Sequence, residues 1–224
     1  MTKSKSPHVL VIDPAVKTPE LETYNRLVLT SPVPLSYHLP ALFGFSSIHQ
    51  TDNTPILGIV ILGSLSSVNE GLPWQKELAT FIQRHFEKKT PLLGLCFGHQ
   101  LIAHTFGGKV EYVFPDQKKH LGFRQVHLKE NPLWGSALSG DLYVSHNEHV
   151  VVAPADFEIT ATSESIAIDG MAHKTHPVWT FQPHPEAGPK FQQMREGRAP
   201  DPSRFSFGQE LVARFLSFCQ KKHS

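Results

Sequence analysis

The sequence predicts an α/β protein organised on a central sheet, and two observations carry that prediction. Ile56-Leu57-Gly58-Ile59-Val60-Ile61-Leu62 is apolar throughout, as a parallel strand covered on both faces must be. From there to Leu95 the pattern runs strand, helix, strand. Pro73 opens a helix whose Trp74, Leu78, Phe81, Ile82 and Phe86 recur at helical spacing, and Leu92 to Leu95 is a second apolar run. In such βαβ units ligands sit outside the carboxyl ends of the strands.

The 224 residues are enough to bury a large core, and no linker divides them, so residues 1–224 read as one domain. A formal charge of +1, with neither a basic stripe nor an acidic tail, argues against nucleic acid or an anionic membrane as the main partner. Cys96 and Cys219 are the only cysteines and make no disulfide framework, which fits a reducing cytosol. The start, Met1 to Pro7, leads into an apolar run too short for a signal peptide, and no segment approaches the roughly 18 apolar residues of a membrane span. The expectation is a soluble, cytoplasmic protein.

Before Ile56, His8 to Asp13 reads as a buried first strand closed by Pro14. Thr18 and Pro19 read as N-cap and first turn of a helix carrying Leu21, Tyr24, Leu27 and Val28. Residues 31–40, with Pro32, Pro34 and Pro40, read as a turn-rich loop, and Phe43 to His49 as a candidate strand. After Leu95 a helical pattern runs to Gly107-Gly108. From Lys109 to Ile168 the alternation shortens: Val110 to Val113, Phe123 to Leu128 and Leu142 to Val144 read as strands and hairpins. Val178 to Gln182 is a further apolar strand. Residues 187–203, rich in Gly, Pro and charge, read as surface loop, and a last helix runs from about Phe207 to Lys221, with Leu211, Val212, Phe215, Leu216 and Phe218 inward.

The chemistry concentrates where the Leu92–Leu95 strand ends. Gly94-Leu95-Cys96-Phe97-Gly98 places a thiol at a sharp strand-to-helix bend, the nucleophile-elbow arrangement with Cys in place of Ser. Glycines at both −2 and +2 of a given Cys occur by chance in roughly 0.5% of cases. A small buried hydrophobe, the usual lot of a free cysteine, would not need them. The N-terminus of the following helix favours a thiolate. Cys96 is therefore the candidate nucleophile.

A thiol needs a base, and fourteen histidines compete for the role. In Gln182-Pro183-His184-Pro185-Glu186 both Gln182 and His184 precede proline, which biases each toward extended backbone. Residues i and i+2 of an extended chain share a side, about 6.6 Å apart. Glu186 thus has the reach to bond one nitrogen of His184 and leave the other for the thiol, the logic of nucleophile, base and orienting carboxylate. His99 and His104, on the helix after the elbow, read as partly buried or solvated. His146 with His149, and His173 with His176, have i, i+3 spacing but lack the further ligands of a zinc site, so no metal is expected. No Gly-rich phosphate-binding loop follows any strand, and no cofactor is expected.

Gly94-Leu95-Cys96-Phe97-Gly98-His99-Gln100 and Gln182-Pro183-His184-Pro185-Glu186 resemble the paired signatures of the class I (triad) glutamine amidotransferases, in that family's order. The resemblance extends from Ile56 to about Glu186. Leu72-Pro73-Trp74, Leu121-Gly122-Phe123 and Ser145-His146-Asn147-Glu148-His149-Val150 are most similar to the GMP-synthase-type branch and its stand-alone relatives. The resemblance implies a flavodoxin-like mixed central sheet flanked by helices. It implies hydrolysis of glutamine to glutamate and ammonia through a γ-glutamyl thioester on Cys96, the ammonia passing to a synthetase partner. It further implies that Gln100, Ser145 and His146 hold the substrate, and that the backbone N–H groups of Ser64 and Phe97 form the oxyanion hole. Two positions depart from the pattern: Gly63-Ser64-Leu65 stands where that branch has Gly-Gly-Pro, and Glu148 where relatives often have Asp.

Two other functions stay open at this level. A γ-glutamyl peptide hydrolase would use the same thioester with a different leaving group. A non-catalytic binding module would keep the fold alone, against which the intact Cys96, His184 and Glu186 argue.

Overall fold

A computed structural model describes residues 6–51, 54–197 and 201–222. The expectation drawn from Met1 to Lys5 lies outside them, as do residues 198–200 of the expected surface loop. In chain order the strands are β1 (His8–Ile12), β2 (Leu35–His38), β3 (Ile56–Ile61), β4 (Leu92–Leu95), β5 (Lys109–Tyr112) and β6 (His120–Leu128). They continue as β7 (Leu138–His146), β8 (Glu148–Val152), β9 (Phe157–Thr162), β10 (Gly170–His173) and β11 (Val178–Phe181). The helices are α1 (Leu21–Thr30), α2 (Pro40–Phe43), α3 (Ser46–His49), α4 (Pro73–Glu87), α5 (Phe97–Thr105), α6 (Pro189–Glu196) and α7 (Ser206–Lys221).

One nine-stranded sheet runs β2-β1-β3-β4-β11-β10-β9-β6-β7, and β5 pairs with β8 beside it. The first five strands of that order are parallel and the rest antiparallel. The architecture is thus the flavodoxin-like mixed sheet that the family resemblance implied. Alternation along each parallel strand supplies two apolar faces. Val9, Val11, Val60, Leu93, Leu95 and Phe181 pack with Leu27 of α1 and with Leu211, Val212, Phe215 and Leu216 of α7. Leu10, Ile12, Ile59, Ile61 and Leu92 pack on the other face with Leu78, Phe81 and Ile82 of α4 and Leu101 and Ile102 of α5. Among the described residues no helix is long and apolar enough to cross a membrane.

Three local expectations are corrected. Leu35–His38, expected as loop, adds to the sheet edge as β2, because an edge strand tolerates the prolines on either side of it. Phe43 to His49 is no strand but the end of α2 and the short α3. Residues 187–203 are not plain loop: Gly188 caps α6, whose Phe191 is buried, and Pro202–Phe205 is a 3-10 turn leading into α7.

The first helix also starts later than the Thr18-Pro19 signal suggests. The buried Asp13 carboxylate accepts the backbone N–H groups of Ala15 (2.9 Å) and Glu20 (2.7 Å) and the Tyr37 hydroxyl. That wraps residues 14–20 into a loop, and helix α1 begins at Leu21 with Leu21 and Val28 exposed. Burial is the main cause raising the pKa of Asp13.

Candidate active site

Cys96 ends β4 as the N-cap of α5 with φ +53°, ψ −101°, a strained conformation for a residue with a side chain. The bend is possible because its neighbours lack Cβ atoms. A Cβ on Gly94 would come within 2.6 Å of the Gly98 carbonyl oxygen, and one on Gly98 within 2.4 Å of that of Ile61. The Cys96 backbone N–H donates to the Phe181 carbonyl (2.8 Å), which fixes the elbow against β11.

The same register brings in the base. Phe181 pairs with Leu95, so the chain leaving β11 passes directly beside Cys96. The Gln182 side-chain amide approaches the Cys96 sulfur at 3.9 Å. His184 donates its backbone N–H to the Tyr143 carbonyl (2.7 Å). Its Nδ1 lies 2.8 Å from Glu186 Oε1, both side chains being buried. Nε2 has no hydrogen-bond partner among the described residues. Burial alone would lower the pKa of His184; the Cys96 sulfur and then the Glu186 carboxylate outweigh it and raise it to about 10, favouring an imidazolium.

Two cavities meet at the thiol. The first, about 210 Å³, lies on the His184–Glu186 side, against Ala15 to Thr18, Glu20, Phe191, Met194 and Arg195. The second, about 260 Å³, is walled by Gln100, Ser145, His146, Glu148, Ser66, Ser67 and Glu70. Cys96, Ser64, Leu65, Ser145 and Lys119 border both. These walls stand at the carboxyl ends of the parallel strands, as the βαβ reading expected.

Over residues 39–196, more than half of the chain, the sequence matches the family model described as glutamine amidotransferase class-I. The chain belongs to the class-I glutamine amidotransferases. It is 28% identical over 172 residues to a glutamine-hydrolysing GMP synthase subunit of Methanocaldococcus jannaschii, covering 76% of this chain and 78% of that one. It is 32% identical over 162 residues to a GMP synthase of Clostridium novyi, which covers 70% of this chain and 27% of the relative. The chain thus spans about a quarter of the length of several GMP synthases it matches. In fold it is similar to a putative GMP synthase subunit of Thermoplasma acidophilum, with a TM-score of 0.74, 20% identity and coverage of 98% and 96%.

In this amidotransferase the residues the sequence singled out sit in different relations to the thiol. Cys96, His184 and Glu186 share the first cavity. Gln100 lines the second, but its amide nitrogen is spent on the Glu148 carbonyl (2.7 Å) and Gln182 Oε1 (3.1 Å). Ser145 Oγ and His146 Nε2 are buried there without partners among the described residues. The His146 Nδ1–H donates to the Glu148 carbonyl (2.9 Å), so Nε2 is the bare acceptor nitrogen. Burial, and secondarily the Arg124 guanidinium, holds its pKa well below the usual histidine range.

Ser64 keeps a negative φ and uses its hydroxyl to donate to the Pro14 carbonyl (2.7 Å) and accept from the Ser66 N–H (3.2 Å). The backbone N–H groups of Ser64 and Phe97 donate to no described residue. Glu148 accepts from the Ser67 hydroxyl (2.8 Å) and ties the loop after β3 to the strand region carrying His146. His99, expected to be partly buried at most, is fully buried behind the elbow and bonded to the Thr180 hydroxyl (2.8 Å).

Sequence reasoning missed Gln182 and Lys119 as site residues. Gln182 was legible, since it belongs to the same Pro-flanked motif as His184. Lys119 was not, because it lies in a loop without periodicity that Asn147 pins through the Gln117 carbonyl (2.7 Å).

Proposed function

We propose that this amidotransferase hydrolyses the γ-amide of glutamine through a thioester on Cys96 and passes the ammonia to a separate synthetase subunit. The observation that carries the reading is His184, with Nδ1 held by Glu186 at 2.8 Å, Nε2 without a hydrogen-bond partner among the described residues, and its charged form favoured by the Cys96 sulfur. An imidazolium so oriented faces a sulfur that attacks in its thiolate form, the form that adds to a carbonyl.

The thiolate adds to the γ-carbonyl carbon. The oxyanion that forms meets the unengaged N–H groups of Ser64 and Phe97, donors that need no rearrangement at the moment of reaction. His184 then gives its proton to the departing nitrogen, the C–N bond breaks, and the acyl group stays on sulfur. Water, deprotonated by the now neutral His184, adds to the thioester carbonyl, the C–S bond breaks, and glutamate leaves with the sulfur and the imidazolium restored. The second cavity holds the γ-glutamyl portion. Ser145 Oγ and His146 Nε2 offer unpaired polar atoms there, and Gln100 contributes through its carbonyl oxygen. No step calls for a metal or cofactor. The relatives are named as a GMP synthase and as a glutamine-hydrolysing subunit of one, which supports glutamine as the amide and, for the ammonia acceptor, a second subunit.

A diazo-ketone analogue of glutamine tests the reading by mass spectrometry. The expected result is one adduct, on Cys96, together with glutamate release from glutamine that a Cys96→Ala variant lacks. Cys219 should stay unlabelled, because it is fully buried against Gly58 and burial pushes its thiol pKa up to about 12. Equal labelling of both thiols would overturn the assignment.

A further inference from the structure

The cavity on the His184 side is far larger than ammonia requires. A small hydride molecule such as water occupies roughly 30 Å³ in its liquid, against about 210 Å³ available here. Its position fixes its role, granted the thioester mechanism proposed above. His184 must protonate the departing nitrogen, so the leaving group lies on the side of the thiol that His184 and Glu186 line.

The walls of this space are tied together within the chain. Asp13 holds the 14–20 loop by the N–H groups of Ala15 and Glu20, and Ser64 Oγ holds it again at the Pro14 carbonyl. Glu20 then bonds Arg195 of α6 at 2.7 Å, closing the rim between the loop and the helix. Phe191, beneath the rim, lies 4.7 Å ring to ring from His184 and is covered by the Arg195 guanidinium at 3.5 Å. The space is therefore formed before any partner arrives.

Charge decides what it favours. Glu186 is engaged by His184 and Glu20 by Arg195. Lys17 and Lys119, both solvent-exposed, also line the cavity at its rim, and neither forms an ion pair with a described residue. Ammonia, which leaves as a base and becomes a cation, gains nothing from two unpaired ammonium groups. An amine that carries its own carboxylate does.

We propose that this cavity is a leaving-group subsite for an α-amino acid or short peptide, so that the enzyme cleaves γ-glutamyl amino acids or γ-glutamyl peptides as well as glutamine. The bonds exchanged are those already described: the γ-amide C–N bond breaks, the C–S bond forms, and the proton from His184 leaves with the amino acid or peptide. Lys17 and Lys119 are specificity residues for the carboxylate.

The test compares kcat/KM of the full chain for γ-glutamylglycine, γ-glutamylglycinamide, γ-glutamylalanylglycine and glutamine. The glycine and glycinamide compounds differ by one charge at the leaving group. The expected preference for the acid is about tenfold, the scale of two partly exposed ion pairs, and the tripeptide separates a peptide from a single amino acid as the preferred group. In a Lys17→Gln/Lys119→Gln double variant the acid-to-amide ratio should fall toward one, chiefly through KM. A folding defect would lower both rates and leave the ratio in place. A ratio of one or less in the unaltered protein, or a ratio the double variant does not move, overturns the subsite. Turnover of glutamine without either dipeptide defeats this inference alone. Absence of turnover with all four compounds, and of diazo-ketone labelling at Cys96, defeats the thioester reading and this inference with it.

Discussion

His184 Nδ1 and Glu186 Oε1 stand 2.8 Å apart because a tight turn joins them. The Ala187 N–H donates to the His184 carbonyl at 3.0 Å, which puts Pro185 and Glu186 at the two central positions of the turn. Proline's fixed φ suits the first of these. The turn is held from outside by Arg26, whose guanidinium donates to the Glu186 carbonyl, and by Gln209, whose amide donates to that of Ala187 (3.2 Å).

The pairing predicts an ordered pair of losses. His184→Ala should lower kcat by about 10⁴-fold or more, because the proton route to the leaving group disappears. Glu186→Gln keeps the base and loses only its orienter, so a smaller loss, about 10²-fold, is expected. Steady-state kinetics on glutamine, with circular dichroism to confirm folding, checks both. Full activity in His184→Ala would end the assignment.

The elbow predicts that one methyl group is enough to disable the site. Gly98→Ala would drive a Cβ to 2.4 Å from the Ile61 carbonyl oxygen, so α5 must move away from β3 or the bend must open. Overpacking of this kind costs about 1–3 kcal/mol. A lower thermal midpoint should accompany a loss of Cys96 labelling by the diazo-ketone. A variant with unchanged midpoint and labelling would contradict the packing argument.

Legibility followed the physics of each segment. The Gly94 to Gly98 bend was readable because its glycines answer contacts made within the βαβ unit itself. The His184–Glu186 pair was readable as a pair, but by a different route. Pre-proline bias predicted an extended chain, whereas the His184 carbonyl closes a turn on Ala187. Leu35–His38 was misread because an edge strand needs only one neighbour, and nothing in its own pattern names β1 as that neighbour. The 14–20 loop was misread for a related reason. Local capping signals at Thr18 and Pro19 lost to hydrogen bonds from Asp13, whose burial depends on the assembled sheet. Lys119 carries no local signal, and only folding sets it beside Cys96.

Ser64 predicts a separation between side chain and backbone. Its hydroxyl anchors the loop at Pro14, while its N–H is the proposed oxyanion donor. Ser64→Ala removes the anchor and the bond from the Ser66 N–H, together worth about 1–2 kcal/mol of stability, and should keep most of kcat. Ser64→Pro removes the donor and should cost about 10²–10³-fold in kcat. If Ser64→Ala is as damaging to kcat as Ser64→Pro at equal folded fraction, the backbone donor is not what the position supplies.

The buried histidines predict a stability that erodes on the acid side. Burial is the largest cause that lowers His99 to about 3 and His38 to about 4, and it also holds His146 well below 6.5. These are depressed folded-state values, so the stability they contribute is complete above an unfolded pKa of about 6.5. It is lost as pH falls toward the folded values, because the unfolded chain takes up protons that the folded one refuses. Each such histidine adds a slope of up to about 1.4 kcal/mol per pH unit between those limits. His184 has the opposite sign: its raised folded pKa leaves it protonated in both states below 6.5, so it adds no slope there. Denaturant titrations at pH 6.0, 5.5, 5.0 and 4.5, below the window where His184 contributes the opposite slope, should show unfolding free energy falling steadily. His99→Asn, which retains a polar atom for Thr180 and removes the titration, should be less stable at pH 6.0 yet lose stability with about one proton less slope. An unchanged slope in that variant would mean that His99 takes up its proton without unfolding, and that the Thr180 contact behind the elbow tolerates a charge.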